Sequence, residues 1–162
     1  MAARRLRAAA KPAAAAGLVA LTLAACGHTQ AQRTPDVGKL PLVPGAKVSL
    51  RVHKCDTGAN AFCAWELLVV GPRYRSSDQL VRDEHALLLK SGWSGADADT
   101  GDQHAADSPG HKLRVTYATP SGDLRDIVLG SVKRSRELTL ALSHVMFVRS
   151  AAMSMLLEVG AS

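Results

Sequence analysis

The sequence predicts an α+β fold, a small antiparallel sheet with one or two helices packed on one face. Three observations carry that expectation. Two β-rich stretches flank a pair of cysteines, an amphipathic helical segment with matching caps follows, and a second strand pair is joined by a Pro-Ser-Gly turn. Paired strands plus helices with a single apolar stripe are the ingredients of a sheet covered by helices.

Lys47 to His53 alternates apolar and polar residues, and Phe62 to Val70 is β-rich. Between them "CDTGANAFC" holds the turn formers Asp56, Gly58 and Asn60. A β-hairpin stapled by a Cys55–Cys63 disulfide is therefore expected. Closing a loop of about nine residues stabilises a fold by roughly 2 to 3 kcal/mol in the chain-entropy model. A redox or metal pair is the alternative. The C-x7-C spacing is not the C-x-x-C of either chemistry, and His53 is the only helper in sight.

Ser76, Ser77 and Asp78 offer N-cap residues, and Leu80, Val81, His85, Leu88 and Leu89 recur at helical spacing up to Gly92, a suitable C-cap. Trp93 should fold back onto the core. Ser94 to His111 reads as a long polar loop. Lys112 to Ala118 and Leu124 to Leu129 read as strands joined by a turn over Thr119 to Asp123. In Arg136 to Val159, Leu138, Leu140 and Leu142 alternate like a strand. Ala141, Val145, Val148, Ala152 and Met155 instead follow a helical stripe. The expectation is a short strand to about Leu142 and then a helix from about His144, giving the order β-β-α-β-β-(β)-α.

A chain of 162 residues fits one domain. Its formal charge of +6 is concentrated at one end, because Arg4, Arg5, Arg7 and Lys11 precede Cys26 and no acidic residue does. From Cys26 onward 16 basic residues face 14 acidic ones. That near-neutrality, with only six aromatic residues (Phe62, Trp65, Tyr74, Trp93, Tyr117, Phe147), argues against nucleic acid as a partner.

The first 25 residues run from that basic start into Ala13 to Ala25, apolar apart from Gly17 and Thr22. Thirteen helical residues rise about 20 Å, short of a hydrocarbon core of about 30 Å, so a secretory signal fits better than a membrane span. The stretch Leu23-Ala24-Ala25-Cys26 resembles the lipobox of bacterial lipoproteins. The resemblance implies cleavage before Cys26 by signal peptidase II and a diacylglyceryl group on the Cys26 thiol. Two acyl chains hold a protein stably where one does not. Ordinary cleavage after Ala31, which would discard Cys26, is the competing outcome. The expected organisation is a signal peptide over 1–25, a flexible tether over 26–45 and a single α+β domain over 46–162. The expected location is the extracytoplasmic face of a membrane.

Several residues invite chemistry. The stretch "DADTGDQHAAD" carries Asp97, Asp99, Asp102, His104 and Asp107, with His111 beyond. It fails as an EF-hand, since Asp102 occupies the glycine position and Ser108 the final ligand position. His104, His111 and Asp102 remain weak candidates for a looser metal site. Lys133, Arg134 and Arg136, with Arg73 and Arg75, form at most a small anion-attracting patch. His85 and His144 lie in apolar contexts that favour packing. No nucleophile elbow, H-E-x-x-H, P-loop or dinucleotide fingerprint is present, so no catalytic residue and no cofactor is expected. The function expected is a lipid-anchored, non-catalytic binding domain for an envelope protein or polymer. The alternatives are a metal- or small-ligand-binding lipoprotein using the 94–111 loop, and an envelope hydrolase with a dispersed site.

Overall fold

The computed structural model describes residues 34–55, 63–95, 103–125 and 134–160. The strands are β1 (Lys47–Cys55), β2 (Cys63–Val70), β3 (Ser94–Gly95), β4 (Gln103–Asp107), β5 (Leu113–Ala118) and β6 (Ala152–Val159). The helices are α1 (Ser77–Lys90), α2 (Pro120–Leu124) and α3 (Arg136–Phe147). All six strands form one antiparallel sheet in the order β1-β2-β6-β5-β4-β3. The α+β class and the antiparallel sheet are as the sequence predicts. The expected signal peptide, Cys26 and the first part of the expected tether lie outside the described residues.

The placement of the helices differs from the one-face expectation. Along β2, Leu67 and Val69 join the cluster that holds Leu80, Val81 and Leu88 of α1. Leu68 and Val70 join the cluster that holds Leu138, Leu142 and Val145 of α3. Side chains alternate across a sheet, so α1 and α3 cover opposite faces. A bulge in β1 serves both. Val48 stands opposite Val69 while Leu50 stands opposite Leu68, so the extra residue Ser49 lets successive apolar residues reach different cores.

α1 begins where the sequence places it. Ser76 caps the helix by accepting from the Gln79 N–H at 3.2 Å. At its end Gly92 takes φ +82°, the Trp93 N–H reaches the Leu88 carbonyl, and the Gly92 N–H reaches that of Leu89. This is a Schellman ending, closed by packing of Trp93 in the same core as Leu88.

The C-terminal segment reverses the expectation: the helix comes first and the strand last. Ser135 accepts from the Leu138 N–H at 3.2 Å and so caps the start of α3. Leu138, Leu142 and Val145 face inward, whereas Leu140 of the apparent alternation points outward. β6 then inserts between β2 and β5, joining the β1-β2 pair to the β3-β4-β5 meander. It is buried from Ala152 to Leu157 on both faces, so it shows no alternation for a reader to recognise.

α3 ends on a second Schellman pair, Ser150 N–H to Val145 carbonyl and Arg149 N–H to Met146 carbonyl, with Arg149 at φ +54°. A side chain in this left-handed region costs about 1 to 2 kcal/mol, part of which glycine would lose again in unfolded-state entropy. Arg149→Gly is therefore expected to stabilise the protein by about 0.5 to 1 kcal/mol, read as a rise in the urea midpoint at unchanged m-value.

Three other expectations are corrected. The 94–111 stretch is not one loop, since it contains β3, β4 and a 3-10 turn at Pro109–His111. The Thr119 to Asp123 turn is the start of α2, with Thr119 accepting from the Gly122 N–H at 3.1 Å and Pro120 at the first helical position. Leu124 belongs to that helix and Arg125 is its C-cap, while residues 126–129 of the strand expected there lie outside the described residues. The tether also ends sooner than residue 45. Leu40 and Val43 are buried in the α1-side core, and the Pro35 carbonyl accepts from Trp65 Nε1 at 2.9 Å. Once apolar residues of a spacer find a groove, burial outweighs their chain entropy.

Candidate functional site

The outer side of α3 carries the largest apolar exposure among the described residues. Leu140 is 60% exposed, Met146 44%, Phe147 87% and Val148 49%. Leu140 and Phe147 are two helical turns apart on one stripe, and Met146 and Val148 flank Phe147 at the helix end. Single exposed apolar residues are ordinary, but Leu140 followed two turns on by Met146, Phe147 and Val148 marks a surface that gains by being covered. Arg136, Glu137, His144 and Arg149 are exposed around it. His144, expected to pack, stands in solvent because the α3 stripe facing the sheet is Leu138, Leu142 and Val145.

The acidic, histidine-containing stretch divides between the two faces of the sheet. His104 on β4 pairs with Tyr117 on β5, and their rings lie 5.6 Å apart. His85 of α1 completes this group, with Nδ1 2.7 Å from the Tyr117 hydroxyl and its ring 5.3 Å from that of His104. Alternation sends Asp107 to the other face. There its carboxylate meets Arg114 at 3.9 Å and the exposed His111 at 3.8 Å. His104 and the Asp107–His111 pair therefore do not converge on one point. Asp97, Asp99 and Asp102 lie outside the described residues. The His85–Tyr117–His104 group ties α1 to the sheet, which absorbs His85 into packing as expected.

Among the described residues three carboxyl groups are buried, Glu66, Glu84 and Asp123, and each has a partner. Glu66 on β2 accepts the Ser135 N–H through both oxygens, at 3.0 and 2.8 Å, and so fixes the start of α3. Asp123 of α2 meets Arg134 at 3.5 Å. Burial pushes its pKa up to about 6, opposed by Arg134 and Ser154 and reinforced by Glu66. Glu84 of α1 accepts the Val43 N–H at 2.9 Å and pins the 40–46 strap over the core. Burial raises its pKa to about 7 against that hydrogen bond. The small basic stretch Lys133, Arg134 and Arg136 is divided by the same arrangement. Arg134 turns inward to Asp123, Arg136 is exposed, and Lys133 lies outside the described residues.

At the far end of β1 and β2 the expected disulfide joins Cys55 and Cys63, which are directly opposed in the ladder. His53 Nε2 lies 4.0 Å from Cys55 Sγ, and the His53 ring rests against Trp65 at 4.7 Å. The Arg51 guanidinium sits 5.3 Å from the Trp65 ring centre.

Among the described residues no helix is long and apolar enough to cross a membrane. No protein-family model, curated protein or solved structure matches the chain.

Proposed function

We propose that the protein is a membrane-anchored extracytoplasmic lipoprotein whose domain binds a protein of the cell envelope without catalysis. The exposed apolar end of α3 carries the binding part of this reading, and Leu23-Ala24-Ala25-Cys26 carries the anchoring part. Orientation supports combining them. Thr34 and Pro35 lie beside His53 and Trp65, close to the disulfide end of the sheet. Phe147 leads into Ala152, which pairs with Val70 at the opposite end of β2. Seven strand steps separate Cys63 from Val70, about 23 Å at ordinary rise. A lipid on Cys26 thus tethers the domain at one end and leaves the α3 surface facing outward. Apolar side chains with Arg136, Glu137 and Arg149 exposed beside them suit a partner segment that is apolar with charged flanks.

A photo-crosslinking residue placed at Phe147 in the membrane-bound protein tests the surface. One discrete adduct is expected, and it should disappear when Leu140→Asp is added while the melting temperature stays within about 2 °C of the parent. A diffuse smear unaffected by Leu140→Asp overturns the binding surface. Intact mass tests the anchor independently: a chain beginning at acylated Cys26 supports it, and one beginning at Gln32 removes it.

A further inference from the structure

The hairpin brings three metal-ligating side chains to one point. His53 and Cys55 are two residues apart on β1 and share a face, and Cys63 stands opposite Cys55. One ligand atom from each of His53, Cys55 and Cys63 lies within 4.8 Å of the others. The imidazole is backed by Trp65, which is itself fixed by its bond to the Pro35 carbonyl; the Thr34 hydroxyl, 3.4 Å from Nε2, would have to give that nitrogen up to a metal. A staple alone requires no imidazole beside its sulfurs.

We propose that the Cys55–Cys63 disulfide is reducible in the folded protein and that the reduced hairpin binds Zn2+ through Cys55, Cys63 and His53, with water in the fourth position. Two thiolates and an imidazole suit a borderline-soft d10 ion. Tetrahedral Zn–S bonds of about 2.3 Å set the sulfurs about 3.7 Å apart, and side-chain rotation provides that separation once the S–S bond is broken. The reductant is a dithiol. Cys55 is exposed and Cys63 is 4% exposed, so the incoming thiolate bonds to Cys55 Sγ and the electron pair of the S–S bond leaves on Cys63. The second thiolate of the reductant then displaces Cys55, and the reductant departs as a disulfide. Two electrons have entered the protein, the two protons of the dithiol are in solvent, and both thiolates are available to the metal.

The test uses the full chain in a Cys26→Ser background, reduced with a phosphine and titrated anaerobically with Co2+. The expected result is a thiolate-to-cobalt charge-transfer band that saturates at about one equivalent and is erased by Zn2+; the oxidised chain shows none. His53→Ala, which leaves both thiols in place, should weaken binding by about tenfold or more. Circular dichroism of the reduced protein is measured alongside. A reduced, folded chain without the band, unchanged affinity in His53→Ala, or loss of the fold on reduction each overturns the proposal.

Discussion

At pH 8, Glu84→Gln is expected to stabilise the protein by roughly 3 kcal/mol, whereas at pH 4 the variant and parent should be equally stable. Glu84 is fully buried, and its pKa is raised by burial from 4.5 to about 7. The unfolded chain releases this proton first as pH rises, so between about 4.5 and 7 the native state holds more protons. Native stability is therefore complete below 4.5 and falls as pH climbs through 7. A shift of about 2.5 units at 1.36 kcal/mol per unit sets the size of the loss. Glutamine keeps an oxygen for the Val43 N–H and cannot ionise, which removes that slope. Asp123, raised to about 6, adds a second decline of the same sign from about pH 4 to 6 that remains in the variant. Urea midpoints between pH 4 and 8 read both. A parent whose stability rises over that range would show that Glu84 is charged and solvated in the native state.

Leu88→Ala and Leu142→Ala are each expected to cost about 2 to 5 kcal/mol, and the double variant should lose their sum within about 0.5 kcal/mol. Both leucines are fully buried, but Leu88 packs in the α1 core and Leu142 in the α3 core, with the sheet between them. Residues that share no neighbour have no shared cavity through which to couple. Equilibrium unfolding of the four proteins completes the cycle. A coupling above about 1 kcal/mol would mean that the two faces do not pack independently. If the double variant is too unstable to measure, Leu88→Val and Leu142→Val supply a milder cycle.

The two-sided architecture also explains what could be read in advance. α1 was legible because every local signal agrees: Ser76 caps it, Leu80, Val81 and Leu88 line one side, and Gly92 closes it. The first hairpin was legible for the same reason, with alternation in β1 and two cysteines bracketing its turn. The final segment was not. Leu140 lies on an outward surface of α3 yet looks like part of a strand's core. The strand β6 is apolar on both sides because a helix-covered core lies against each. Alternation reports a contrast between core and water, and a central strand has no such contrast.

The candidate sites divide along the same line. The sequence alone paired Cys55 with Cys63 and supplied the lipobox resemblance at Cys26, since both are statements about neighbours along the chain. It also assembled His104, His111 and the aspartates into one polar cluster, because it cannot show which face a strand gives each residue. Tertiary structure decided that His104 joins His85 and Tyr117 while Asp107 turns to Arg114 and His111. It likewise decided that Phe147 faces outward and that His53 stands against the sulfurs of the hairpin. The period-two pleat and the register of the ladder are the physical reason. They convert spacing into direction only once the strands, and their partners, are known.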